Sequence, residues 1–302
     1  MVARPDRRSI LLGAAAIALA ALTPDQAGTA RSSGVAGSPP QAEVSLGGAE
    51  TGSPAPGTGA RDTARPPVLT RADVEQKFSA RAPGYWGLEA PGVLSRLPAT
   101  AGSVALTLDF CGGNGGSGAD LALLSALQQQ RVPATLFLNS RWVNANQSLT
   151  RDLALDPLFE IANHGTSHKP LSVTGKSAYG IPGTRNTGEV YDEIMISDAR
   201  LADLTGRRPR FFRPGTAFMD DVAVEIVRAL GIIPVGFSVN GDGGATFPAA
   251  TVTREVSRAR AGDVVICHGN HPGGGTTPGL VRALAAMKDR GETFVHFPGT
   301  TG

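Results

Sequence analysis

The stretch Val104-Ala105-Leu106-Thr107-Leu108-Asp109-Phe110-Cys111-Gly112-Gly113 sets the reading of the whole chain. Residues 104–108 form a short apolar run of strand length. A run without polar alternation suits a strand covered on both faces. An acid follows it at once, and a glycine pair then breaks the chain. The arrangement recurs downstream: residues 134–138, 159–162, 211–212, 232–239, 264–267 and 293–297 also read as strands. Between them, residues 120–129, 190–204, 222–230, 253–260 and 280–290 read as helices. Strands alternating with helices imply parallel βαβ units. About seven such units, with no glycine-rich dinucleotide turn, predict an α/β fold closed into a distorted (β/α) barrel rather than an open sheet.

The polar residues fall at one end of these strands. Asp109 follows 104–108, His164 follows 159–162, and Arg213 follows 211–212. Asn240 and Asp242 follow 232–239, and His268 follows 264–267. In a parallel α/β barrel the C-terminal rim of the strands is where active sites are built. In His164-Gly165-Thr166-Ser167-His168 two imidazoles stand four residues apart. A helical turn there would set both rings on one face, about 5–6 Å apart at Cβ, a spacing that suits one metal ion. A hydrogen-bonded loop is the other reading. Asp109 reads as a general base or as a capping acid before Gly112-Gly113. An Arg beside a base carboxylate holds it ionised, although Arg213-Pro214-Gly215 also suits a plain turn. His268, with an unperturbed pKa near neutrality, suits a general acid or a loop histidine. His296, inside the last strand, reads as a packed core histidine.

These residues also carry a resemblance. From about Val104 to Phe297 the chain resembles the polysaccharide deacetylases, the NodB-like carbohydrate esterases. Residues 104–109 are similar to that family's first motif, Val132-Pro-Ala-Thr-Leu-Phe137 to its second strand, and Glu160-Ile-Ala-Asn-His164-Gly-Thr-Ser-His168 to its metal-binding motif. Gly206-Arg-Arg-Pro-Arg-Phe-Phe-Arg213-Pro214 and Val264-Val-Ile-Cys-His268 are similar to its third and fifth motifs. The resemblance implies Asp109 as the base that activates water, Arg213 as its orienting partner and His268 as the acid. It implies His164 and His168 as ligands of a divalent metal, usually zinc. Ile266 would line an acetyl-methyl pocket. Asp242 would stand in for the acid of the fourth motif, and with His271 of the glycine-rich 269–278 loop it is placed on the substrate side. The first motif departs from the family: a second aspartate that binds metal is missing, and Phe110-Cys111 stand there instead. Asp109, Cys111, Asn114, Asp120 or an extra water would complete the ligand set. Cys111 and Cys267, the only cysteines, could alternatively pair with each other.

The activity this implies is hydrolysis of N- or O-acetyl groups on an acetylated polysaccharide. The alternatives are a catalytically inactive glycan-binding protein on the same fold and a hydrolase of another non-peptide C–N bond. Two Trp and three Tyr offer little sugar stacking. The 302 residues are 41% hydrophobic, enough for a core, and a formal charge of +2 gives no reason to expect a nucleic-acid partner. Residues 1–30 read as an export signal: Arg7-Arg8, an apolar run through Leu22, then small residues. The paired arginines are similar to a twin-arginine signal. The run is shorter than the roughly 20 residues of a membrane span, so either a cleaved signal or a retained anchor is open. Residues 31–66, rich in Gly, Ser, Ala and Pro, read as a disordered linker. Residues 67–302 are then the catalytic domain, a monomer without a spanning segment after signal removal, with Tyr85 and Trp86 in a segment that packs on the rest.

Overall fold

A computed structural model describes residues 68–297. The expected export signal and linker lie outside the described residues. Ten strands run in chain order: β1 Trp86–Gly87, β2 Val104–Phe110, β3 Ala134–Leu138, β4 Phe159–Asn163, β5 Phe211–Phe212, β6 Met219–Asp220, β7 Ile233–Pro234, β8 Val239–Asn240, β9 Val264–His268 and β10 Phe294–Val295. Eight helices accompany them: α1 Arg71–Phe78, α2 Leu121–Gln130, α3 Ser140–Ala145, α4 Gln147–Leu155, α5 Thr187–Thr205, α6 Asp221–Ala229, α7 Ala249–Val256 and α8 Thr276–Asp289. No helix among the described residues is long and apolar enough to cross a membrane.

The main sheet is parallel, with strand order β7-β5-β4-β3-β2-β9-β8, and β10 pairs with the start of β2. β7 and β8 stand at opposite ends of that order, yet only residues 235–238 separate them in the chain. In a flat sheet the end strands would lie roughly 29 Å apart, at about 4.8 Å per strand. Five backbone steps reach at most roughly 18 Å. The sheet must therefore curl until its edges face each other, which makes the distorted barrel. The apolar run at 232–239, expected as one strand, is split for the same reason: it carries the chain across the seam. Leu94 fills that seam, donating from its N–H to Pro234 O (2.9 Å) and accepting from Gly236 N–H (3.0 Å).

All seven residues of β2 are buried, because alternate side chains enter two different cores. Val104, Leu106, Leu108 and Phe110 pack under the helices with Leu136, Leu138, Val265 and Cys267. Ala105 instead joins Phe137, Phe211, Val235, Val264 and Phe297 inside the barrel. The inward row of β2 therefore climbs from Ala105 through Thr107 to Asp109, from an apolar floor to a polar rim. α1, α5 and α6 cover the other flank through Val74, Val190, Ile194, Val222 and Ile226. Helix starts are capped locally: Asp120 accepts the Leu123 N–H at 3.0 Å and Asn186 the Glu189 N–H at 2.9 Å.

Leu136 is fully buried in the helix-facing core, whereas Ile196 is 56% exposed. Leu136→Ala is expected to lower stability by about 2–5 kcal/mol, and Ile196→Ala by no more than about 0.5 kcal/mol. Urea midpoints at unchanged slope measure both.

Candidate active site at the strand rim

The rim gathers side chains from the ends of β2, β4, β5 and β9. Asp109 lies in register with His268 across β2 and β9. Arg213, directly after β5, donates from one guanidinium nitrogen to Asp109 Oδ1 at 2.7 Å, with side-chain exposures of 0% and 4%. The same nitrogen reaches Thr107 Oγ1 (3.0 Å), and the second donates to Gly236 O (2.7 Å). The guanidinium also stacks over the Phe137 ring at 4.2 Å. Burial pushes the Asp109 carboxyl up, but the charge of Arg213, aided by His164 and His268, outweighs it and holds the group below the ordinary carboxylate range.

His164, after β4, is buried and donates from Nδ1 to the Arg213 carbonyl at 2.8 Å. A carbonyl can only accept, so the proton sits on Nδ1 and the Nε2 lone pair faces the rim. That Nε2 lies 3.6 Å from Cys111 Sγ and 3.6 Å from Asp109 Oδ2. The His168 ring stands edge-on to it, centroids 5.0 Å apart. No helix brings the two rings together, contrary to the helical premise. The intervening residues form an irregular loop with Gly165 at φ 82° and His168 at φ 62°. The Glu193 carboxylate on α5 holds that loop by accepting the N–H groups of Ser167 (3.0 Å) and Lys169 (3.2 Å). A Cβ on Gly165 would meet that carboxylate at 2.5 Å, and one on Gly215 would meet the His168 carbonyl at 2.3 Å. Both glycines therefore allow the His168 backbone its place.

His268 closes the far side. Its Nδ1 donates to Asp242 Oδ1 (2.9 Å) and its backbone N–H to Oδ2 (2.7 Å), which also accepts Thr276 Oγ1 (3.0 Å). Burial opposes the imidazolium, but Asp242, by charge and hydrogen bond, and the Cys111 thiol raise the pKa of His268 well above its ordinary value. Asp242 was expected on the substrate side. It is fully buried, with both oxygens engaged by His268 and Thr276. Ile266 is buried two residues before His268 on the same face of β9. His271 does not join the cluster: it is exposed on the following loop, and its Nε2 lies 3.3 Å from the Asn270 amide. His296 is half-buried just past β10 and bonds to Leu158 O at 2.9 Å.

Residues 96–235 match the family described as Polysaccharide deacetylase. That matched stretch is of the polysaccharide deacetylase family. This chain is 25% identical over 170 residues to the uncharacterized protein YlxY of Bacillus subtilis (strain 168), a match covering 56% of this chain and 49% of that one. The chain thus spans about half the length of that relative. Among solved structures it is similar to a CE4 family pseudoenzyme from Bacillus anthracis, at 21% identity and TM-score 0.57, covering 68% of this chain and 67% of the other. It is also similar to a family 4 carbohydrate esterase from Streptomyces lividans in complex with acetate, at 24% identity and TM-score 0.54, covering 67% and 95%. These likenesses are of fold.

Phe110 does not replace the missing acid, because it faces the helices and packs on the Trp142 ring at 4.6 Å. Asp120 is taken by its helix cap and by Thr277, and Asn114 is exposed. Among the described residues the group able to hold an ion is Cys111, His164 and His168, whose donor atoms lie within 4.8 Å of one another. A tetrahedral ion with bonds of about 2.3 Å to sulfur and 2.0–2.1 Å to nitrogen sets those donors about 3.6 Å apart. The Cys111–His164 separation equals that value and the His168 donor lies within 4.8 Å of both, so one thiol and two imidazoles are close enough to share an ion. The Cys111–Cys267 pairing is not formed: both thiols are free. Alternation explains this, since Cys267 turns into the helix-facing core while Cys111 faces the rim.

The two thiols should behave oppositely. Burial raises the Cys267 thiol, whereas hydrogen bonds from His164, His168 and His268 outweigh burial and lower the half-buried Cys111 well below the ordinary thiol range. In metal-free folded protein, alkylation near neutral pH is expected at Cys111, and at Cys267 only after unfolding; peptide mapping by mass spectrometry reads both.

Proposed function

We propose that the protein hydrolyses N- or O-acetyl groups on a polysaccharide in a metal-dependent reaction. One observation carries the reading: a buried carboxylate biased toward its ionised form and an imidazole biased toward its protonated form stand in register on adjacent strands beside a three-donor cluster. Two titratable groups pushed in opposite directions on one rim are the arrangement that acid–base hydrolysis needs.

Cys111, His164 and His168 would hold the ion, and a thiolate among two imidazoles favours zinc over harder cations. A divalent cation there supplies positive charge that polarises an acetyl carbonyl and eases loss of a proton from water. Asp109, kept ionised by Arg213, accepts the proton of the water that attacks the carbonyl carbon. His268, its Nδ1–H fixed on Asp242, directs Nε2 into the site and protonates the leaving nitrogen or oxygen as its bond to the acetyl carbon breaks. Acetate and a free amine or hydroxyl result. Ile266 borders this space and suits the acetyl methyl.

His268→Ala is expected to retain metal but release acetate about 10²–10⁴-fold more slowly, while His168→Ala loses metal. Metal analysis, with acetate release from chitin oligomers, peptidoglycan and acetylxylan before and after chelation, measures both. No bound metal and no acetate from any of the three would leave a glycan-binding role instead. Loaded with Co²⁺, the wild type should show near-ultraviolet thiolate-to-metal absorption that Cys111→Ser lacks; its absence from the wild type would remove Cys111 from the ligand set. The Arg7-Arg8 segment is further proposed to direct export, so replacing both arginines with lysine should retain the protein inside the cell.

A further inference from the structure

We propose that Trp86, Phe218 and Tyr179 form a sugar-stacking platform beside the rim, a subsite for the glycan chain on either side of the acetylated residue. The idea rests on the glycan reading above and adds where the polymer lies. The three rings are contiguous. Trp86 and Phe218 have centroids 5.7 Å apart, and Tyr179 meets Phe218 edge-on at 5.4 Å.

The platform is tied to the active site through backbone. Phe218 lies five residues past Arg213, and its carbonyl accepts the N–H of Leu171, three residues past His168, at 3.0 Å. β1, which carries Trp86, pairs with β6 directly after Phe218. The rings therefore sit on segments that adjoin those following His168 and Arg213.

Strain concentrates in this stretch. Among the described residues six non-glycine positions have positive φ, and four of them are His168, Tyr179, Thr216 and Ala217. Thr216 and Ala217, at φ 74° and 61°, form the turn that delivers Phe218. Tyr179, at φ 52°, occupies the tip of a two-residue hairpin closed by reciprocal Ala178–Ile181 hydrogen bonds. That position favours Asn, Asp or Gly. A tyrosine there is disfavoured locally, and at 75% exposure it contributes little to the core. Strain held without burial points to a ligand. The apolar C–H face of a pyranose ring is the chemistry that lies flat on an exposed tyrosine or tryptophan. Three of the chain's five Tyr and Trp residues, Tyr85, Trp86 and Tyr179, are in or next to this platform.

Trp142 is fully buried beside Phe110, so a fluorescence change on ligand addition is assigned to Trp86 by its loss in Trp86→Phe. The full chain would be titrated with chito- and xylo-oligosaccharides from monomer to hexamer. Fluorescence change with affinity that rises with chain length is expected for at least one series. Tyr179→Ala should weaken binding about 3- to 10-fold, and Tyr179→Phe should restore it. No length-dependent response in either series, or equal affinity for wild type and Tyr179→Ala, overturns the platform. Acetate release, measured separately, tests the hydrolase: binding without acetate release defeats that reading and leaves the platform standing, and acetate release without platform dependence does the reverse.

Discussion

Arg213 carries its charge at zero exposure, and much of the rim is arranged around that fact. A buried cation is costly unless its charge is paired and its donors are largely matched. Here Asp109 and Thr107 on β2 and the Gly236 carbonyl on the seam match the two terminal nitrogens, and the plane lies over Phe137 on β3, while Nε has no hydrogen-bond partner. Its own carbonyl takes the Nδ1–H of His164. One side chain thereby couples the carboxylate, the imidazole and the closure of the barrel. Removing either partner of such a buried pair costs about 3–5 kcal/mol, so the pair is held as firmly by the fold as by any catalytic need.

The two-residue period of the strands sorts chemistry with equal force. On β2 it sends Asp109 to the rim and Phe110 under the helices; on β9 it sends His268 to the rim and Cys267 under the helices. The loss of an acid at position 110 is therefore not answered at position 110. The next inward-facing residue is Cys111, and it meets both imidazoles. A cluster of one thiol and two imidazoles, of the kind that can hold a metal ion, thus forms there.

Much of the barrel could be read from the chain alone, because strands buried on both faces advertise themselves as unbroken apolar runs. Residues 134–138 and 211–212 coincide with β3 and β5, and β2, β4 and β9 extend the expected runs by one or two residues. The run at 232–239 misled for the same reason: a chain crossing a buried seam is as apolar as a strand. The rim residues were visible as polar positions after strands, but their relations were not. The spacing of His164 and His168 suggested a helix, whereas the loop is held by Glu193, 25 residues beyond His168. Asp242 was visible as an acid near a strand end, but only the fold could bring it against His268. The ring cluster of Trp86, Tyr179 and Phe218 joins three separate segments, and no local pattern encodes it.

The short link across residues 235–238 gives the molecule a particular mode of failure. The seam, bridged by that span and by residues 94–97 rather than by a continuous strand ladder, is expected to open at lower free energy than the central strands. Gly236 belongs to that span and also accepts from Arg213. Loosening the seam would release the guanidinium, and with it the clamp on Asp109, while the β2–β3–β4 core stayed intact. Thermal inactivation in this architecture would begin as a local unlatching, ahead of the cooperative melt.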